Sequence, residues 1–187
     1  MAGAQRADDW SASTRERAEA EYRRVRADSE MLCRPLQTED YGLQTMPDVS
    51  PAKWHLAHVS WFFETFILAE HQAGFEWFDA SFQVLYNSYY NGVGEQHPRA
   101  QRGLISRPAL ETIHAYREHV DARLERLVST ANGETLERVL PLVVLGINHE
   151  QQHQELIVTD IKHGLAQNPA WPAYCPANAA PGPATEP

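Results

Sequence analysis

This chain of 187 residues has only two cysteines, no long apolar run and no net positive charge. Only Cys33 and Cys175 are present, and they lie far apart, so the chain lacks the density of a disulfide scaffold and suits a reducing compartment. No apolar run approaches the length of a membrane span, and the N-terminus has no signal-type apolar core. The formal net charge of −9 opposes binding to nucleic acid and to anionic membranes. We therefore expect a cytoplasmic protein whose partners are small molecules or other proteins.

The composition is that of an ordinary folded protein, with 43% hydrophobic and 22% charged residues. The chain is long enough for one domain with a single hydrophobic core. Capping residues, prolines and glycines divide it into four predicted helices, at about residues 13–34, 50–70, 108–131 and 141–164. No strand alternation is strong enough to build a sheet, so the predicted fold class is all-α, a four-helix bundle.

Two segments fall outside the predicted helices. The connection between helices 2 and 3, from about Gln72 to Ser106, is aromatic and has no sustained helical period. Loops of this length are uncommon in a compact domain unless they are functional, so we expect it to line a site; the alternative is a packed lid with no role in binding. Beyond Gly164 the sequence is dominated by Pro and Ala. We predict one domain over residues 1–164 and a linker-like tail over residues 165–187.

Four histidines in two predicted helices have the spacing of metal ligands. His149 and His153 are four residues apart, so both imidazoles project from one face of the fourth helix. His55 and His58 are three residues apart on the second helix, and either could complete a set of three across the bundle interior. Three neutral imidazoles leave up to three positions of an octahedral ion open for substrate and oxygen. The pattern predicts a divalent-metal site that is suited to catalysis.

The run from His149 to His153 also matches the HExxH signature of zinc proteases, with Glu150 as the general base. The surrounding residues argue against that alternative. Leu156 and Thr159 stand where the extended protease pattern requires Gly and His. We therefore favour another kind of metal site.

Three segments, in this order, resemble the N-terminal DinB-like domain of the ergothioneine-biosynthesis sulfoxide synthases: SPAKWHLAHVSWFFE, YNSYYNGVGEQHPRAQRG and NHEQQHQELIVTDIKH. The resemblance extends over nearly the whole chain, to about Pro176. Enzymes of that family use mononuclear non-haem iron and O2 to join a thiol donor, γ-glutamylcysteine or cysteine, to the imidazole of trimethylhistidine (hercynine), giving a sulfoxide. The resemblance thus implies a DinB-like four-helix bundle, Fe(II) as the cofactor, and hercynine, the thiol donor and O2 as small-molecule partners.

The resemblance also assigns roles to particular residues. The implied iron ligands are the three matched histidines, His58, His149 and His153. His55 is left with a supporting role beside them. Gln152 is implied to face the hercynine pocket, and Arg99 to hold a carboxylate of the thiol donor, with Arg102 as the competing candidate.

Those synthases continue into a C-terminal domain similar to formylglycine-generating enzymes, which supplies the catalytic tyrosine and much of the substrate pocket. The sequence stops at Pro187, so we expect the iron-binding half of such an enzyme, which needs a separate formylglycine-enzyme-like subunit for activity. Two alternatives stay open. One is a free-standing DinB-type metal-dependent thiol transferase, which zinc or nickel would favour over iron. The other is a non-catalytic metal-binding remnant.

Overall fold

The computed structural model describes residues 12–88, 90 and 92–175. Every regular element in that range is helical, which confirms the all-α prediction. A π-helical turn covers Glu64–Leu68, and 3₁₀ turns cover Asp40–Gly42 and Arg99–Leu104. None of the described helices is both long enough and apolar enough to span a bilayer. In chain order the α-helices are α1 (Ala12–Cys33), α2 (Ala52–Phe63), α3 (Ala69–His71), α4 (Phe82–Leu85), α5 (Leu110–Thr130) and α6 (Gly133–Gln167).

Helix α2 is enclosed along its whole length, because every one of its residues is buried. Its sequence, AKWHLAHVSWFF, is apolar or aromatic on all sides, as expected of a helix that is surrounded by other elements. It packs against α5 and α6, and α1 packs against α6 and α5 from the other side. The four long helices therefore form a ring in which α6 contacts both α1 and α2. This arrangement brings the histidines of α2 and α6 to one interface.

Gly146 allows α2 and α6 to approach each other closely. A Cβ atom at this position would lie closer than 3.0 Å to the ring of Phe63, a separation that real Cβ atoms essentially never show. Phe63 has little room to move, because it is fully buried and its ring lies edge-on to Tyr22 at a centroid distance of 5.0 Å. Gly146 stands one turn before His149 on α6. The close packing at Gly146 therefore draws this part of α6 toward α2.

The last helix differs from the sequence prediction at both ends. It begins at Gly133, because the side chain of Asn132 accepts a hydrogen bond of 2.9 Å from a backbone N–H in the first turn. The start predicted near Pro141 is wrong, since this proline lies inside the helix on an exposed position where its lost hydrogen bond can be replaced by water. Gly164 does not end the helix either. A Cβ there would collide with Leu43, so this glycine serves the packing of α6 against the segment after α1.

The predicted tail is described only as far as residue 175, and residues 176–187 lie outside the described range. Helix α6 runs through Gln167, into the segment that we assigned to the tail. Tyr174 donates a hydrogen bond to the backbone carbonyl of Leu32 near the end of α1. The division of the chain at residue 164 stays a prediction.

Candidate metal centre

Three histidines from two helices meet at the interface of α2 and α6. One ring nitrogen from each of His58, His149 and His153 lies within 4.8 Å of the other two. The ring centroids are 5.0 Å apart for His58 and His149, and 4.8 Å apart for His58 and His153. Those of His149 and His153 are 4.6 Å apart. These three residues, which we call the histidine cluster, are grouped closely enough to hold one metal ion.

The ring of His58 is held in one orientation by its neighbours. Its Nδ1 lies 2.6 Å from the backbone carbonyl oxygen of Tyr86, so Nδ1 donates the hydrogen and Nε2 keeps its lone pair. The ring stacks on Trp54, with centroids 4.6 Å apart and planes 12° apart. It also lies nearly parallel to Trp61, at 5.6 Å and 16°. Because the three residues have helical spacing on α2, the stack forms within a single helix.

His153 is held by a second histidine. Its Nδ1 lies 2.8 Å from Nδ1 of His55. Nε2 of His55 lies 3.1 Å from Oδ2 of Asp160, and that oxygen also accepts a 2.9 Å hydrogen bond from the backbone N–H of Ser50. His55 is therefore engaged on both ring nitrogens. Of the two α2 histidines that the spacing left open, His58 is the one that belongs to the cluster.

His149 is the least constrained histidine of the cluster. Its ring lies 4.8 Å from that of Phe62. Its buried Nδ1 has no hydrogen-bond partner among the described residues. A buried polar group without a partner costs about 1–3 kcal/mol, a cost that a bound ligand can remove.

Electrostatics keeps the three imidazoles neutral near pH 7. Burial lowers the pKa of His58 well below its ordinary value, and the neighbouring His149 lowers it further. Burial lowers the pKa of His149 to about 4. Burial, and then the adjacent His58, lower the pKa of His153. Neutral imidazole is the form that binds a metal, so a cation can enter this site without displacing a proton.

The histidine cluster borders a cavity of about 510 Å³, a size typical of small-molecule sites. The cavity walls come from α2 and the residue Ser50 before it, from α6, and from the long connection between residues 72 and 106, so this connection lines the cavity beside the histidine cluster. The lining residues are Ser50, Trp54, His55, His58, Ser88, Tyr90, Arg99, Arg102, His149, Gln152, His153 and Leu156.

Arg102 is fixed in the cavity wall although it carries a charge. Its side chain is buried, and its guanidinium carbon lies 3.4 Å from the centroid of the Trp54 ring. Nη1 donates to the hydroxyl of Ser50 at 2.9 Å, and Nη2 donates to the hydroxyl of Ser88 at 3.1 Å. Stacking and paired hydrogen bonds are the interactions that a planar guanidinium makes best. The cavity therefore has an oriented positive charge.

Arg99 and Gln152, which the sequence singled out, also line the cavity. Arg99 is half-buried and donates from Nη2 to the backbone carbonyl of Asp48. Gln152 lies on an exposed part of the cavity wall, three residues after His149 on α6. The structure thus brings every residue of the predicted site to one cavity.

Glu150, the general base of the protease alternative, is committed to another part of the bundle. Its carboxylate accepts hydrogen bonds from Arg26 at 3.0 Å, from Arg117 at 3.1 Å and from Ser29 at 2.7 Å. Burial alone raises the pKa of Glu150, but the two arginines and the serine outweigh it and the net shift is downward. We call Arg26, Arg117 and Glu150 the ion-pair cluster. Because its two oxygens are hydrogen-bonded to residues of α1 and α5, this carboxylate does not serve the histidine cluster as a base.

The family model of the DinB superfamily matches the chain over residues 21–157. The matched range covers well over half of the chain and includes both the histidine cluster and the ion-pair cluster. No curated protein matches the sequence significantly.

Proposed function

The chain belongs to the DinB superfamily, and from that premise we propose that it is the iron-binding domain of an ergothioneine-type sulfoxide synthase. In this proposal His58, His149 and His153 hold one Fe(II) ion. The observation that carries it is the histidine cluster itself, three neutral imidazoles beside a cavity of small-molecule size. The proposal places the protein in the cytoplasm.

The chemistry of the three side chains fits a metal ion. Nδ1 of His58 and Nδ1 of His153 are both engaged in hydrogen bonds, which leaves their Nε2 atoms for an ion. His149 offers a ring nitrogen that no described residue pairs. The three imidazoles would hold a ferrous ion with coordination positions left open for substrate and oxygen, and the ion would supply the redox chemistry that activates oxygen toward the two substrates.

We propose that hercynine and the thiol donor, γ-glutamylcysteine or cysteine, bind in the cavity next to the metal. Gln152 is positioned to hydrogen-bond hercynine, since it stands on α6 beside both cluster histidines of that helix. A guanidinium recognises a carboxylate through two parallel hydrogen bonds, which suits the thiol donor. Arg99 is the arginine proposed for that contact, and Arg102, which Ser50 and Ser88 already orient, is the competing candidate.

Full activity in this proposal requires a formylglycine-enzyme-like domain, which would supply the catalytic tyrosine. Val144 and Leu145 precede His149 on α6, and both are more than half exposed although they are large and apolar. Leu145 stands one turn before His149, which lines the cavity, and exposed apolar residues there suit a surface that a second domain covers. The partner contact is part of the proposal and is tested separately from metal binding.

The test is an anaerobic titration of the metal-free protein with Fe(II), followed by addition of hercynine and then γ-glutamylcysteine. The proposal expects one iron per chain and an absorption change with each substrate. Arg102→Lys and Arg99→Lys, measured in parallel, identify the arginine that binds the thiol donor, because only one of them should weaken the second change. Tightly held zinc or nickel without a response to hercynine would overturn the synthase proposal in favour of the thiol transferase or the non-catalytic module.

A further inference from the structure

We propose that Asp160 is a positioning residue of the metal centre and that it acts on His153 through His55. The inference rests on the proposed metal site, but not on the synthase reaction. Asp160 lies outside the residues that match the superfamily model, which end at residue 157. Its role is inferred from its contacts with Ser50 and His55 in this chain.

The three side chains form one continuous row of hydrogen bonds across the α2–α6 interface. Oδ2 of Asp160 lies 3.1 Å from Nε2 of His55, and Nδ1 of His55 lies 2.8 Å from Nδ1 of His153. The side chains of His55 and Asp160 are 3% and 14% exposed, so water competes little for these contacts. The row ends at His153, whose Nε2 is left for the cluster.

Each contact in the row fixes the position of one hydrogen. An ionised carboxylate only accepts, so the hydrogen of His55 is on Nε2. Nδ1 of His55 then carries a lone pair, so Nδ1 of His153 must donate the hydrogen between them. Nε2 of His153 is left with its lone pair, which is the form that a metal ion needs.

The opposite arrangement is the one that Asp160 prevents. If His55 carried its hydrogen on Nδ1, then Nδ1 of His153 would accept it and Nε2 of His153 would be protonated. A protonated Nε2 cannot bind a metal. Nothing in the two histidines themselves prefers one arrangement, because a contact between two Nδ1 atoms is symmetrical. The carboxylate at one end of the row therefore selects the ligand form at the other.

Ser50 keeps Asp160 in position for this role. The backbone N–H of Ser50, just before α2, donates to the same Oδ2 atom that faces His55. This bond ties the carboxylate of α6 to the start of α2. Without the carboxylate, no acceptor would hold the hydrogen of His55 on Nε2, and both arrangements of the row would become accessible.

The first test reads the hydrogen positions in the metal-free protein by ¹⁵N NMR of labelled histidine. We expect the wild type to have His153 protonated on Nδ1 only. Asp160→Ala, which removes the acceptor, should convert a large part of His153 to the Nε2-protonated form. Glu155→Ala, the same truncation on an exposed position of α6, should leave the spectrum unchanged. An unaltered His153 in Asp160→Ala would overturn the proposal, even if the protein bound no metal.

The second test measures Co(II) affinity by titration, since Co(II) is coloured when bound. Loss of a residue that orients a metal-bound histidine lowers metal affinity by about 10–100-fold, which is the loss expected for Asp160→Ala. In a His55→Phe background the same substitution should cause no further loss, because the row is already broken. An equal loss in both backgrounds would show that Asp160 acts otherwise and would overturn the proposal.

The two tests distinguish this inference from the proposed function. Absence of Co(II) binding in the wild type would refute the metal site, whereas the NMR test would still read the role of Asp160. Normal Co(II) binding with no response to hercynine would refute the synthase and leave this inference standing.

Discussion

The histidine cluster and the ion-pair cluster occupy different sides of the same two turns of α6. Both are buried and polar, and Glu150 directly follows His149 in the sequence. The ion-pair cluster is charged, and its carboxylate is satisfied by two arginines and a serine. The histidine cluster is neutral, borders a cavity and leaves Nδ1 of His149 without a partner among the described residues. The first holds the bundle together, whereas the second is open to a ligand.

The comparison also explains how the site is oriented. Arg26 belongs to α1 and Arg117 to α5, and they also donate hydrogen bonds to Ser60 and to the carbonyl of Leu56 on α2. The ion-pair cluster therefore touches all four long helices. By fixing the rotation of α6 at Glu150, it turns the neighbouring histidines toward α2.

The largest stability effect should come from Glu150→Gln. This change leaves two buried arginines without their shared carboxylate, and breaking a buried ion pair in this way costs about 3–5 kcal/mol. Urea unfolding of the metal-free protein measures the loss. Glu155→Gln, on an exposed position of the same helix, should stay within about 0.5 kcal/mol of the wild type.

Glu150→Gln also tests whether the histidine cluster and the ion-pair cluster have separate roles. Folded Glu150→Gln should keep most of its metal affinity, whereas His153→Ala should lose metal binding at a smaller cost in unfolding free energy. If His153→Ala destabilised the metal-free protein as much as Glu150→Gln, the distinction between the two clusters would fail.

A smaller effect should follow from Gly146→Ala, which acts on the packing that brings α6 to α2. The added methyl group would meet the ring of the buried Phe63, and overpacking of this kind costs about 1–3 kcal/mol. It should also weaken metal binding, because it separates the two helices that supply the ligands. Gly42→Ala is the matched control, since a Cβ there meets nothing within 4 Å. Unfolding and Co(II) titration of both variants check the expectation, and wild-type behaviour of Gly146→Ala would contradict it.

The two clusters should also differ in the pH range over which each contributes to the unfolding free energy. Burial lowers the pKa of His149 from 6.5 to about 4, so the unfolded chain binds more protons than the folded one between these values. The unfolding free energy of the metal-free protein should therefore fall as the pH decreases from 6.5 to 4. The pKa of Glu150 is lowered below 4.5 by its partners, so the contribution of the ion-pair cluster should be lost only below pH 4.5.

Two variants separate these pH ranges in urea titrations. His149→Gln should make the decrease between pH 6.5 and 4 smaller, and His58 and His153, whose pKa values are also lowered, should keep the rest of it. Glu150→Gln should alter mainly the part of the curve at lower pH. A wild-type slope in His149→Gln would show that this histidine is not buried in its neutral form.

Helical periodicity was enough to predict the all-α fold, and spacing was enough to single out the four histidines beside the cavity, whereas Arg99 and Gln152 came only from the family resemblance. Spacing could not choose between His55 and His58, because both positions lie on α2 within one turn of each other. The choice depends on contacts from distant parts of the chain, the carbonyl of Tyr86 at His58 and the carboxylate of Asp160 at His55. Trp54 stands one turn before His58, a spacing that allows the two rings to stack. This signal for His58 is visible in the sequence, but the prediction did not use it.

The errors in the sequence prediction have similar causes. Proline and glycine were taken as helix boundaries, but Pro141 is exposed within α6 and Gly164 makes room for Leu43. The protease motif at Glu150 was rightly set aside on the flanking residues, but the sequence did not show its two arginine partners, which come from helices distant in the chain. A local pattern does not show which side of a helix meets which neighbour.

The most direct test of the central claim is metal content, measured by elemental analysis of anaerobically prepared protein. The account predicts one metal ion per chain in the wild type and its loss in three single alanine variants, at His58, His149 and His153. His163→Ala should keep its metal, because Nδ1 of His163 lies 2.7 Å from the hydroxyl of Thr45, outside the histidine cluster. Stoichiometric metal in any of the three cluster variants would contradict the ligand assignment.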